Sequence, residues 1–296
     1  MSTGRVLVLC QARIVSQYLL GETSFRCFNR QHQQMKTLLL AAIFCCGIFA
    51  MVNFAFGQTW VPTSAPITNW VTVASSADGN NLVAASRDMF GSSPGLLYTS
   101  TNSGLTWMSN LVSRLGFSSV ASSADGSILV AAPFAGGIYV STNGGSLWTQ
   151  PTNVPSLTTL SVASSANGTI MYEVYVSGSR HFFVSTNAGA TWTSNNMPSP
   201  LLAVNGIASS SDGTKLVAVA NKLYTSTNSG ITWISNNVPD EFWTSVASSA
   251  DGKILTAVCH TVVDGPVGEI FTSTNFGDTW TQDNAPNSLL KNSQKV

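Results

Sequence analysis

Charge is scarce in this chain. Lys, Arg, Asp and Glu make up 9% of 296 residues, 13 basic against 13 acidic, where a soluble domain ordinarily carries about 25%. No Lys/Arg cluster is present to follow a nucleic-acid backbone, which excludes nucleic acid as a partner. No polybasic patch is present for an anionic membrane surface. Histidine is as rare: beyond residue 57 only His181 and His260 occur. They lie 79 residues apart, so no zinc-type spacing arises. Of five cysteines, Cys10, Cys27, Cys45 and Cys46 precede Gly57, and only Cys259 follows it. A single cysteine forms no intrachain disulfide, and Cys259 reads as a small buried strand residue. No glycine-rich phosphate loop opens a helix and no G-x-S-x-G elbow appears. No metal and no cofactor are therefore expected. The hydrophobic fraction of 44% is ample for a packed core and excludes disorder.

The apolar residues are unevenly placed. Met35–Gly57 reads MKTLLLAAIFCCGIFAMVNFAFG: one Lys, an apolar run from Leu38 to Val52, then small residues at Ala55 and Gly57. That is the pattern of a secretory signal peptide, with cleavage expected between Gly57 and Gln58. The run is shorter than the roughly 20 residues a membrane span needs, so no span is expected after cleavage. Residues 1–34 show no strand or helix period. They are read as a non-native N-terminal extension, with translation starting at Met35. The expected location is secreted or periplasmic.

A repeat covers the remainder. The block V-A-S-S-A-D-G occurs at Val73–Gly79, Val120–Gly126, Val162–Gly168 (Asn167 for Asp), Ile207–Gly213 (Ile207 for Val, Ser211 for Ala) and Val246–Gly252, with glycine spacings of 47, 42, 45 and 39 residues. A second block, S-T-N-x-G-x-T-W, follows each time: Ser100–Trp107, Ser141–Trp148, Ser185–Trp192, Ser226–Trp233 and Ser273–Trp280. Each copy holds four short alternating runs separated by Asp-Gly or Asn-x-Gly turn signals. Four antiparallel strands per copy at this period give an all-β fold, a β-propeller of four-stranded antiparallel blades. The repeats run over about residues 67–110, 111–152, 153–197, 198–238 and 239–286. They fill a domain at 58–286, with a tail at 287–296. Ala and Ser suit the crowded axis, so V-A-S-S-A is assigned to the inner strand and the Trp to the outer. Five blades with a spare N-terminal strand at Gln58-Thr59-Trp60 is the favoured count. The alternative is an incomplete ring with exposed edges that need a partner chain.

The second block resembles the Asp-box, or BNR repeat, S-x-D-x-G-x-T-W, of sialidase-type, sortilin-like, xyloglucan-active and photosystem II assembly propellers. The resemblance spans roughly residues 60–286. Asn102, Asn143, Asn187, Asn228 and Asn275 stand where that family has Asp. An Asn oxygen still accepts turn N–H groups, but the lost charge argues against cation binding. The resemblance implies that the box is structural, so these Asn and Trp107, Trp148, Trp192, Trp233 and Trp280 are expected to hold the fold.

Both repeated turns then share one face of the disc, and variation falls on the other. The candidate binding residues there are Arg87, Asp88, Arg114, Tyr175, Arg180, His181, Asp240, Glu241, Trp243, His260, Asp264 and Glu269, with Glu173 near them. Trp243, beside Asp240-Glu241, reads as the better candidate for an exposed contact. Glycoside hydrolysis needs two carboxyls flanking the bond, or a Tyr nucleophile in sialidases. The R-I-P signature and catalytic spacing of sialidases are absent, and no catalytic residue is assigned. The reading is a non-catalytic binding or scaffold module for a polysaccharide or a protein. A glycoside hydrolase is the alternative, and a structural envelope component the third.

Overall fold

A computed structural model describes residues 62–86, 95–112, 116–154, 157–176, 181–197, 204–260 and 268–283. The expectations for residues 1–57 lie outside this set. From Thr63 onward the described residues belong to one compact unit. Among them no helix is long and apolar enough to cross a membrane.

Among the described residues all regular structure is β, in five antiparallel sheets that follow the repeats. The first holds β1 (Trp70–Ser75), β2 (Leu82–Ser86), β3 (Leu97–Ser100) and β4 (Met108–Asn110) in that spatial order. The second holds β5 (Phe117–Ser122), β6 (Leu129–Pro133) and β7 (Tyr139–Ser141). Its fourth strand is reduced to one bridge, Val140 to Thr149. Pro151 stands where β4 has Asn110, and proline offers no N–H to a ladder. The third holds β8 (Thr158–Ser164), β9 (Met171–Val176), β10 (His181–Ser185) and β11 (Thr193–Asn196). The fourth holds β12 (Gly206–Ser209), β13 (Leu216–Val219), β14 (Leu223–Ser226) and β15 (Ile234–Ser235). The fifth holds β16 (Phe242–Ser248), β17 (Leu255–His260), β18 (Gly268–Ser273) and β19 (Thr281–Gln282).

Consecutive sheets meet through the V-A-S-S-A strands: β1 packs on β5, β5 on β8, β8 on β12, and β12 on β16. The small-residue block is therefore innermost, as its Ala and Ser content requires. Four apolar clusters fill the four gaps between sheets. Val83, Leu97 and Phe117 anchor the first, and Ile138, Met171 and Trp192 the second. Tyr172, Phe182 and Tyr224 anchor the third, and Leu223, Trp243 and Phe271 the fourth. The chain thus buries its hydrophobic area between blades as well as within them, and each blade depends on its neighbours.

The two repeated turns lie side by side and bond to one another. Ser103 N–H donates to the Asn80 carbonyl at 2.9 Å, and the same link recurs from Gly144 to Ser127, Ala188 to Thr169, Ser229 to Thr214 and Phe276 to Lys253. Gly189 shows how tight this face is. Its φ is +81°, and an added Cβ would sit 2.7 Å from Val140 Cγ2 of the preceding blade. Gly189→Ala is therefore expected to cost about 2 kcal/mol or more, from left-handed strain plus overpacking. Urea unfolding of wild type and variant checks this, and equal midpoints would refute it.

Candidate binding face

The box turn is closed from within. Each box Ser Oγ accepts from the box Gly N–H at 2.9 Å in all five copies. Each box Asn Oδ1 accepts the N–H four residues on, at 2.8–3.0 Å. In four copies the Asn amide also donates to the box Thr Oγ1, at 2.8–2.9 Å. The second copy has Leu147 there and lacks that bond. Asn therefore uses both ends of its side chain, and no carboxylate is needed. Trp192 is buried, and its indole N–H donates to Gly189 O at 3.0 Å. Trp107, Trp148, Trp233 and Trp280 are half-buried. The rings of Trp148, Trp233 and Trp280 pack against the core clusters.

The Asp-Gly turns are equally self-contained. Hydrogen bonds hold Asp78, Asp125 and Asp251 below the ordinary carboxylate value, the Ser two residues before each contributing most. Asp212 falls to about 2, through the hydroxyl of Ser210 first and the Thr214 N–H second. The repeated face offers its polar atoms to itself.

One carboxyl departs from the repeat. Glu173 of β9 lies opposite Val162 and Phe183. The four equivalent positions are Ala84, Ala131, Ala218 and Ala257, each opposite a Val or Ile on one side and a Tyr or Phe on the other. The inner-strand residue three before the block changes with it. That place holds Trp70, Phe117, Val204 and Trp243, but Thr159 in the third copy. In the first and fifth blades the Trp reaches across the Ala to the third-strand ring: Trp70 meets Tyr98 at 5.0 Å, and Trp243 meets Phe271 at 5.2 Å. In the third blade Glu173 fills that space, and Thr159 Oγ1 donates to its Oε1 at 2.6 Å. Glu173 is 1% exposed, and its Oε2 has no hydrogen-bond partner. Burial pushes the carboxyl up to about 7, with the Thr159 bond opposing.

The opposite end of the sheets carries the variable residues. Arg87, Asp88, Arg114, Arg180 and Asp264 lie outside the described residues. His181 opens β10 in register with Asn196. Tyr175 is buried against Phe183, 5.7 Å between ring centroids. Trp243 is a correction: it is fully buried rather than an exposed contact. Its position faces the preceding blade, so its ring joins the fourth core cluster. The exposed aromatic is its neighbour Phe242, at 57%. Alternation places successive strand residues on opposite sides, a signal the D-E-F-W run carried but did not orient.

Blade five gathers most of the described candidates. Phe242 opens β16 opposite His260, the last residue of β17, which in turn faces Gly268 at the start of β18. Glu269 pairs with Cys259. Cys259 is buried, and desolvation, then Glu269 and Glu241, raise its thiol to about 12. It is an inert packing residue. Asp240 makes a surface ion pair with Lys222 of blade four at 3.3 Å; the sequence reading overlooked Lys222 and Phe242. Among the described residues no His, Cys, Asp and Glu group could hold a metal ion.

No protein-family description matches the chain, and no curated protein matches it. Solved structures do. A GH74 xyloglucanase from Xanthomonas campestris superposes at a TM-score of 0.60 and 17% identity, over 71% of this chain and 37% of that one. The GH74 enzyme of Niastella koreensis gives 0.62 and 20%, over 72% and 38%. YCF48 from Cyanidioschyzon merolae gives 0.53 and 16%, over 73% and 69%. The chain thus spans under two-fifths of the length of these two GH74 enzymes. At these identities the likeness establishes the fold: this chain is a β-propeller protein.

Two predictions follow from the buried groups. Trp192→Ala is expected to cost about 3–5 kcal/mol through the cavity it leaves; a loss under about 1 kcal/mol in urea unfolding would show the ring to be dispensable. Glu173 binds its proton more tightly when folded, so its contribution is complete below about pH 4.5 and is lost as pH rises through about 7. The rise from 4.5 to about 7 corresponds to about 3 kcal/mol. Wild type should melt at a lower temperature at pH 8 than at pH 5. Glu173→Gln should remove most of that fall, and an unchanged slope in the variant would refute the assignment.

Proposed function

We propose that this chain is an exported, non-catalytic propeller of the Asp-box type, whose variable face binds a glycan or a protein. The observation that carries the reading is Phe242. It is a large aromatic left exposed at the variable end of blade five, with Glu241 beside it, His260 opposite in register, and the Lys222–Asp240 pair near in sequence. An apolar ring among a few polar groups suits a sugar face or a peptide side chain. The rest of the molecule acts as a rigid frame for it, because the repeated face satisfies its own polar groups. The scarcity of charge favours an uncharged polar ligand, such as a neutral polysaccharide. The structural neighbours include xyloglucanases and a YCF48 structure described as bound to D1 peptide, so both ligand classes occur on this fold.

Catalysis is less well supported. Among the described residues, the one carboxyl shifted toward neutral pH, Glu173, is buried between blades at 1% exposure. One observation favours a hydrolase: Glu241 and Glu269 both act on the Cys259 thiol, so two carboxyls share one end of blade five. Glycosidases place two carboxyls about the scissile bond.

A glycan array and a peptide array, each with a hydrolysis readout, separate these readings. Binding without turnover is expected, weakened at least tenfold by Phe242→Ala with the melting temperature unchanged. Turnover abolished by Glu241→Gln or Glu269→Gln would replace the binding reading with the hydrolase. Silence on both arrays would refute ligand binding and leave a structural role.

A further inference from the structure

The four junctions between blades are built from the same parts. The backbone N–H of Ala77 donates to the Ala124 carbonyl at 2.7 Å, Ala124 to Ala166 at 2.6 Å, Ala166 to Ser211 at 2.7 Å, and Ser211 to Ala250 at 2.7 Å. The side chain two residues after each turn glycine lies over the next blade's turn glycine. A Cβ on Gly126, Gly168, Gly213 or Gly252 would strike Asn81, Ile128, Ile170 or Lys215 of the blade before. The inner-strand residues Phe117, Thr159, Val204 and Trp243 are covered by the preceding blade, at 0–6% exposure.

The two ends of the series carry the unmatched halves of this junction. On blade one, nothing lies within 4 Å of a Cβ at Gly79. The Ala77 carbonyl accepts no junction bond among the described residues. Trp70, the counterpart of Trp243, is 39% exposed. On blade five, the Ala250 N–H has no acceptor among the described residues. Ile254, the counterpart of Ile128 and Ile170, is 51% exposed. Val258 and Ile270 are half-exposed, whereas their counterparts Val219 and Leu223 are fully buried. One end offers an acceptor and a recess. The other offers a donor and a projecting apolar side chain.

We propose that these two faces form a fifth junction between two copies of this chain, blade five of one copy seated on blade one of the next. β16 and β1 of the same chain are not closely packed together among the described residues. A second copy brings the contact set that already holds four times within the chain. The contact is head-to-tail, so association builds a closed ring or an open filament according to the rotation between copies. At the outer rim Thr63 and Ser64 already cover blade one, Ser64 Oγ donating to the Leu105 carbonyl at 2.6 Å. They stand where Asp283 of the incoming copy would come, as Asn236 stands against Gly277, so this rim segment moves aside on docking. The inference does not depend on the ligand reading above.

Sedimentation of the full chain across a concentration series tests it. Reversible association beyond the monomer is expected. Ile254→Asp should weaken it at least tenfold without changing the melting temperature, since Ile254 is exposed. A strictly monomeric chain, or an unaltered Ile254→Asp variant, would overturn the proposal. Junction backbones approach closely enough for a disulfide. Oxidising a mixture of Ala77→Cys and Ala250→Cys chains should therefore give a 77–250 disulfide joining two chains, located by peptide mass. In the double variant, a 77–250 disulfide formed within one chain would show that blades one and five meet intramolecularly, and would overturn the second copy as occupant.

Discussion

The close approach of consecutive inner strands is the constraint on which the structure depends. At each junction a turn N–H reaches the next turn's carbonyl at 2.6–2.7 Å, which is possible only if the facing residues are small. The Ala and Ser of V-A-S-S-A meet that demand in every copy. The turn glycine meets it again, since a Cβ there would collide with the blade before. Once the inner strands are fixed, the wedge that opens outward must be filled by larger groups. Val, Leu and Tyr on the second and third strands and Trp at the outer edge supply that volume. Close-packed interiors tolerate little error in this sequence of sizes.

The third blade shows how such a wedge accommodates an exception. An aromatic and an alanine occupy the site in the first and fifth blades, and Thr159 with Glu173 occupy it in the third. Glu173 takes up part of the space that a Trp ring fills in those blades, and it introduces a carboxyl at 1% exposure with one oxygen unpaired. Volume-conserving exchanges in a core are tolerated best when no polar group is left over. Here one is, and it shifts the cost of folding into the pH range where cells and their surroundings differ. The Thr159 hydroxyl offsets part of that cost.

The turns divide labour differently. In the box, Asn accepts a backbone N–H with its oxygen and donates to a Thr hydroxyl with its nitrogen, so the loop is closed without charge. Four of the five inner turns keep an Asp, whose carboxylate accepts from Ser hydroxyls and backbone N–H groups, and Asn167 accepts in the same way in the third. The variation from the repeat lies at the other end of the sheets, at Phe242, Glu241 and the Lys222–Asp240 pair.

Repeat, strand order and inner position of V-A-S-S-A were legible in the sequence, because local rules govern them. Asp-Gly and Asn-x-Gly specify turns through backbone conformation, and alternation specifies strands. Trp243 and Phe242 were not separable that way. Both are apolar neighbours in one strand, and only the presence of a preceding blade decides which one is covered. The exchange of Thr159 with Glu173 is visible in an alignment of the five copies, yet its meaning comes from a 2.6 Å bond across two strands. The unmatched ends at Gly79 and Ile254 are likewise a tertiary result. The same residue types are buried at four junctions and open at the ends, because burial depends on a neighbour the local sequence does not contain.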